Sequence, residues 1–288
     1  MFREPSQLEK DRATQILGWS PRIWRSVSGG YTPAARYVAS RGRDRAFVKV
    51  ATTPLTAKLL RRECFAYERI RGRFMPQLVG WSDDELAPML IIEDLSDAQW
   101  PPPWDVKLVD RVLENINALH ASRAELQTFQ ALHEQLSPGW MSVAENPRPF
   151  LDLELVSSDW LYRALPKLRE AEGICQTSGT SVTHFDLRSD NICLAGSGIK
   201  FIDWAEACNG DPNLDLGFWL PSLSFEGGPK PEELLPDSPN IAAWVSGYFA
   251  ARAGLPNIPD APFVRRVQRE QLSTSLPWVV RALKLGEI

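Results

Sequence analysis

The sequence predicts an α+β chain of two lobes. A small antiparallel sheet with one helix spans residues 1–92, a linker spans 93–104, and a larger, mainly helical lobe spans 105–288. Three observations carry this expectation. Residues 23 to 50 hold three short strand-like runs divided by turns, three consecutive prolines at 101–103 interrupt the chain, and beyond them apolar residues recur at spacings of three and four. The 288 residues, 44% apolar and 24% charged, have the composition of a globular chain and exclude a disordered or fibrous one.

The runs IWRSVS, AARYVA and AFVKV are the first three strands, and the turns SGGYTP and SRGRDR between them supply Gly, Pro and Asp. Thr53 and Pro54 then form an N-cap and a first helical position, and the helix runs to Arg71, where Gly72 and Pro76 stop it. QLVGWS and PMLII complete five strands. The prolines of EDLSDAQWPPPW suit neither strand nor helix. Val106, Val109, Val112, Leu113, Ile116 and Leu119 mark an amphipathic helix, and further helices fall at roughly 155–172, 212–220, 240–253 and 261–285. SVTHF, NICLA and IKFID are short strands with an unusual density of polar residues.

Charge and cysteine usage narrow the function classes. A net charge of -4 disfavours a nucleic-acid binder, and the three histidines and four cysteines, none in a CxxC pair, disfavour a structural metal or a disulfide framework. The start MFREPSQLEKDR has no long apolar core and no stretch is long enough to span a bilayer, so the expected compartment is cytoplasmic, with no membrane partner. The charge is divided unevenly: residues 1–92 carry 16 basic and 9 acidic side chains, residues 93–288 carry 16 and 27. Such a division suits an anionic ligand on the first lobe and a cationic one on the second.

The chemistry concentrates in HFDLRSDNICL, where Asp186 and Asn191 lie five residues apart on a loop, and in FIDWAEACNGDPNLDLGFW, where Asp203 ends a strand twelve residues further on. Asn191 and Asp203 are hard oxygen donors suited to Mg²⁺ on a nucleotide's phosphates, which leaves Asp186 to accept a proton from an attacking hydroxyl. These two motifs, in this order, resemble the catalytic signature of the aminoglycoside phosphotransferase and choline kinase family, a branch of the protein-kinase-like fold. The resemblance runs from about residue 20 to 285. It implies transfer of the γ-phosphoryl group of ATP or GTP to a hydroxyl of a small molecule, with Asp186 as base and Asn191 and Asp203 as Mg²⁺ ligands. Phe185 departs from the family, which usually has Gly there.

The resemblance further implies a lysine on the third strand paired with a helix carboxylate. Lys49 occupies that strand, and Glu63 falls inside the helix's apolar stripe of Leu59, Leu60, Cys64, Tyr67 and Ile70, whereas Glu68 lies at its margin. The turn Ser28-Gly29-Gly30-Tyr31 is a candidate phosphate cradle. MLIIEDLSD matches the family's hinge, which implies that the carbonyl of Glu93 and the N–H of Leu95 meet the purine edge, a contact that does not separate ATP from GTP. His120, closing its helix, and His184 read as structural residues, and the resemblance implies that Asp215 braces the catalytic loop.

A protein kinase is disfavoured, because only seven residues separate Asp203 from Asp211 and no peptide-docking segment follows. A nucleotide-binding scaffold without phosphotransfer is the alternative from another class, and it has no need of a base at Asp186. The acceptor is not readable beyond a lean toward cationic or polyhydroxylated molecules, with Asp190, Glu206, Glu226, Glu232 and Glu233 as the acids nearest in sequence. Trp100, Trp104, Trp140, Trp160, Trp219 and Trp244 are either core residues or a cage for a quaternary ammonium.

Overall fold

The computed structural model describes residues 3–30, 32–85, 87–134, 136–259 and 261–288, so Tyr31 of the glycine turn and the first two residues lie outside the described set. The first elements are α1 (Gln7–Leu17), β1 (Ile23–Ser26), β2 (Ala35–Arg41), β3 (Asp44–Val50), α2 (Pro54–Arg69), β4 (Leu78–Ser82) and β5 (Met89–Ile92). They are followed by α3 (Val106–Ala121), α4 (Phe129–Leu132), α5 (Gly139–Glu145), α6 (Arg148–Leu151), α7 (Ser158–Gly173), β6 (Ser181–Thr183), β7 (Ile192–Ala195) and β8 (Gly198–Phe201). The last are β9 (Cys208–Gly210), α8 (Pro212–Phe225), α9 (Pro231–Leu234), α10 (Pro239–Ala253) and α11 (Val264–Leu283). The chain forms two compact units: a sheet unit of residues 1–101, 122–126 and 190–207, and a helical unit of 102–121, 127–189 and 208–288.

The sheet unit is an antiparallel sheet in the order β1-β2-β3-β5-β4. Side chains alternate across it. Tyr37, Ala39, Ala46, Val48, Val50, Met89 and Ile91 form a buried core on one face, together with Ala13 of α1, and Arg36 and Lys49 project from the other. The register sets Arg36 directly opposite Lys49. Where the apolar pattern predicts one helix in this region, the structure has two. α1 buries only Glu9 and Ala13, too little to show as periodicity, but its capping box of Ser6 and Glu9 is a start signal that the sequence carries in plain view.

α2 begins as its sequence demands. Thr53 accepts a hydrogen bond from the Thr56 N–H, Thr56 reciprocates, and Pro54 takes the first helical position. Its buried face includes Ala57, Leu60, Glu63, Cys64 and Tyr67, so that a carboxylate sits within an apolar stripe. β7 and β8 form a separate hairpin in the same unit, with Ile192 opposite Phe201 and the Ile202 N–H donating to the Asn191 carbonyl at 3.0 Å.

In the helical unit α8 and α10 are buried almost all round, with eight and ten buried residues respectively. They therefore behave as interior helices rather than amphipathic surface ones. α5 crosses α10 so closely that a Cβ on Gly139 would lie 1.9 Å from the Gly247 carbonyl oxygen. α4, α5, α6 and α9 are each seven residues or shorter, and no periodic signal marks them in the sequence.

Candidate functional site

In the sheet unit the charged residues gather around Lys49. Its ammonium donates to Glu63 Oε2 at 2.7 Å and to Asp203 Oδ1 at 3.0 Å. Burial works against the Lys49 charge, but Asp203 and Glu63 outweigh it and hold the group above the ordinary lysine value. Burial also pushes the Glu63 carboxyl up, opposed by Lys49. Glu68 goes elsewhere, accepting from the Trp81 indole N–H at 2.8 Å. The difference follows from the helix face: Glu63 is 2% exposed, whereas the Glu68 side chain is 44% exposed.

The β7–β8 hairpin brings Asn191 and Asp203 to one end of the same two-stranded ladder. Asn191 closes the 3₁₀ turn Ser189–Asn191 and is buried. Asp203 has φ +65° and ψ +63°, the left-handed region that few non-glycine residues adopt, and its carboxylate is held by Lys49. Backbone in such a conformation costs of order 1 kcal/mol and is characteristic of functional positions. Buried Lys200 on β8 donates to the Arg73 and Met75 carbonyls at 3.0 and 2.8 Å and ties the ladder to the chain after α2.

Gly29 and Gly30 both have positive φ, +127° and +74°, so the turn between β1 and β2 takes a path that only glycine follows without strain. No local sequence motif marks Arg36, whose guanidinium packs against this turn: a Cβ on Gly30 would lie 2.4 Å from Nη2. Strand pairing was the missing signal, because only the register reveals that Arg36 shares a face with Lys49. At the other end of β5, the Glu93 N–H donates to Gln77 and the Leu95 carbonyl accepts from Ala98. Neither the Glu93 carbonyl nor the Leu95 N–H has a hydrogen bond among the described residues.

In the helical unit Asp215 organises the loop that carries Asp186. It is fully buried on α8 and accepts from the His184 N–H at 3.1 Å, the Phe185 N–H at 2.7 Å and the His120 ring at 2.9 Å. Burial pushes the Asp215 carboxyl up, but the His120 hydrogen bond and the neighbouring histidines hold it below the usual range. The His184 ring in turn accepts from the Asp186 N–H at 3.2 Å, and Arg188 lies 3.2 Å from Asp186 Oδ1. Both histidines therefore brace the loop. The Asp186 side chain is 34% exposed, open enough for a solute to reach it.

Phe185, the departure from the family pattern, has φ +57° and so keeps the backbone path that glycine would take. Asp215 clamps its N–H, and its ring packs at 4.8 Å from Phe129 and 6.1 Å from Phe218. Of the acids considered for the acceptor, Glu226 accepts from Trp104 and Ser189, Glu232 pairs with Arg281 and Glu233 caps the turn at Lys230. Trp140, Trp160 and Trp219 are sealed in the core at 0 to 2% exposure and cannot wall a cage for a ligand. A second buried acid, Glu172, accepts from the Gly139 and Trp140 N–H groups at the start of α5, and burial pushes it up to about 7.

Comparison with known proteins bears directly on this arrangement. Residues 23–255 match the model of the phosphotransferase enzyme family. No curated protein sequence matches the chain. Among solved structures it resembles the aminoglycoside phosphotransferase APH(4)-Ia in complex with AMP-PNP and hygromycin B, at 15% identity over 96% of this chain and 98% of that one, with a TM-score of 0.60. Choline kinase LicA from Streptococcus pneumoniae gives 14% identity, 97% and 99% coverage and a TM-score of 0.58. Spectinomycin phosphotransferase APH(9)-Ia, solved with ADP and spectinomycin, gives 13%, 98% and 93%, and 0.56. At these identities the likeness is one of protein-kinase-like fold. No helix among the described residues is long and apolar enough to cross a membrane.

Proposed function

The chain belongs to the phosphotransferase enzyme family and is a small-molecule kinase, and from that premise we propose that it moves the γ-phosphoryl group of ATP or GTP to a hydroxyl of a cationic or polyhydroxylated acceptor. The observation that carries the reading is Lys49, a largely buried ammonium drawn to carboxylates on two separate elements at 2.7 and 3.0 Å. Burying the Lys49 and Glu63 charges is costly for stability alone, and the expense is rational where an anionic ligand completes the set.

In this reading residues 1–92 hold the nucleotide, 93–104 form the hinge and 105–288 supply the catalytic loop and the acceptor site. Lys49, fixed by Glu63, meets the α and β phosphates; Ser28, Gly29 and Gly30 cradle them; the Glu93 carbonyl and Leu95 N–H meet the purine. Asn191 and Asp203 are hard oxygen donors, and Mg²⁺ typically needs one or two protein ligands with phosphate and water oxygens filling its shell. Bound there, the ion supplies neutralisation of the phosphate charge. Asp186 takes the proton of the acceptor hydroxyl as its oxygen forms a bond to the γ phosphorus, and the bond from that phosphorus to the bridging oxygen breaks to release the nucleoside diphosphate.

The acidic excess of residues 93–288, 27 against 16 basic, supports a cationic acceptor, and hygromycin B and spectinomycin in structures of the same fold put aminoglycosides at the head of a panel. The test is nucleoside diphosphate release with Mg²⁺ across amino-alcohols, aminoglycosides and neutral sugars. Acceptor-dependent turnover is expected, with Asp186→Asn lowering it by about 10² or more while nucleotide affinity stays nearly intact. Full turnover by Asp186→Asn would remove the base. Stabilisation by ATP and Mg²⁺ without turnover on any acceptor would instead favour a nucleotide-binding scaffold.

A further inference from the structure

Arg36 is a cation on the Lys49 face of the sheet to which the reading above gives no task, and unlike Arg45 on the same face, which pairs with Asp94 and Asp97, it has no carboxylate partner among the described residues. It stands directly across from Lys49 in the β2–β3 register, and side chains of directly opposed residues in an antiparallel pair share a face. Like charges so placed repel, and here the repulsion is only partly relieved. Glu63 and Asp203 both make their ion pairs to Lys49 and act on the guanidinium through space alone. No carboxylate among the described residues forms an ion pair with Arg36.

The guanidinium is nevertheless held in one orientation. Nη1 donates to the Thr32 and Ala34 carbonyls at 3.2 and 2.9 Å, and Nη2 reaches the Thr32 hydroxyl at 3.4 Å. Those partners are neutral and belong to the chain leaving the glycine turn. Of the five N–H groups of an arginine, they leave the Nε–H and one Nη2–H without a partner among the described residues. The planar group packs against Gly30, where even a methyl group would displace it. Arg36 is partly exposed and lines, with Arg3, Ser26, Ser28 and Thr52, an open cavity of about 450 Å³ beside the turn, a cavity that Lys49 does not line. A fixed, accessible fork with unspent charge and unspent donors is matched by a phosphate, whose oxygens accept two parallel N–H bonds.

We propose that Arg36 is a second phosphate-binding residue of this chain, which with Lys49 grips the polyphosphate of the nucleoside triphosphate from beneath the glycine turn. The proposal rests on the nucleotide reading of the sheet unit and goes beyond it in assigning the fork. It also gives Gly30 a second purpose. The glycine both takes a left-handed path and leaves room for the guanidinium below it.

The test measures calorimetric affinities of the full chain, with Mg²⁺, for adenosine, ADP and ATP in wild type, Arg36→Gln, Arg36→Lys and Lys49→Met. If Arg36 grips phosphate, Arg36→Gln leaves adenosine binding unchanged and weakens ATP by about tenfold or more, with ADP between them. Arg36→Lys, which keeps the charge and loses the fork, falls between wild type and Arg36→Gln for ATP, and serves as the readout should the Gln variant fold poorly. Equal weakening of adenosine and ATP would make Arg36 only a brace of the turn, and unchanged ATP affinity would leave it no ligand role; either overturns the proposal. Unchanged ATP affinity in Lys49→Met, or no ATP binding by wild type, would instead overturn the nucleotide reading on which it rests.

Discussion

Carboxylates are put to opposite uses in the two units. In the sheet unit Glu63 and Asp203 face a side-chain cation, Lys49, in surroundings where the Asp203 side chain remains 36% exposed. In the helical unit Asp215 and Glu172 are 0 and 3% exposed and spend their oxygens mainly on backbone N–H groups, of His184 and Phe185 in one case and of Gly139 and Trp140 in the other. An ion pair of side chains is exchangeable, because an arriving anion or metal offers either partner an alternative. A carboxylate clamped on backbone donors fixes the course of a loop, and nothing that binds from solution replaces it. The first arrangement suits a place where charge comes and goes, the second a place where geometry has to stay.

The largest effect that would break this contrast is expected at Asp215. Asp215→Ala strips a buried acceptor from two N–H groups and from His120, and should cost about 3–5 kcal/mol of stability in urea titrations. A loss below about 1 kcal/mol would mean that the loop holds itself. Glu172 comes next. Its folded-state value of about 7 exceeds the ordinary 4.5, so the folded protein holds the extra proton, and stability is fully present below about pH 4.5 and declines as pH rises to about 7. The decline should be on the order of 2–3 kcal/mol. Glu172→Gln should flatten it, and parallel pH profiles of the two proteins would show that another group titrates.

In the sheet unit the sharpening measurement is a double-mutant cycle. Lys49→Met and Glu63→Gln should be non-additive in nucleotide affinity by about 1–2 kcal/mol, since each leaves the other without its partner. Additive losses, or equal sensitivity at Glu68, would dissolve the pair. The smallest effect concerns Phe185, whose backbone Asp215 holds in the left-handed region. Phe185→Gly and Phe185→Ala both lose the ring's packing, but the glycine variant should be the more stable by about 1 kcal/mol in thermal melts. The reverse order would show that the backbone conformation is not strained.

These residues differ in how far the sequence revealed them. Lys49, Glu63, Asn191 and Asp203 were legible because each lies on a local pattern, a strand, a helix face or a loop motif, that names its direction without knowledge of the rest of the chain. Arg36 was hidden because its meaning lies in a register, and register is a relation between strands. Glu172 was hidden because its partners stand 32 and 33 residues upstream on a helix of seven residues, too short for periodicity to mark. α1 was missed where apolar burial is smallest, although its cap was readable. The five strands of the sheet and the long helices followed from patterning, whereas the sheet order, the short helices between α3 and α7, and the place of residues 190–207 in the sheet unit did not.

The crossing of α5 and α10 has a consequence for how this sequence can vary. A Cβ on Gly139 would strike the Gly247 backbone at 1.9 Å, and one on Gly247 would strike Glu172 at 2.3 Å. Gly139 cannot take even alanine without parting two helices, and alanine at Gly247 would have to displace the Glu172 carboxylate and the Trp140 ring. Drift in this unit is thereby diverted from the crossing to residues such as Met141 and Tyr162, which are 40% and 83% exposed and can change without moving a backbone. Variation in this unit is thereby arranged around one contact point, Gly139 against the Gly247 carbonyl, that admits no side chain.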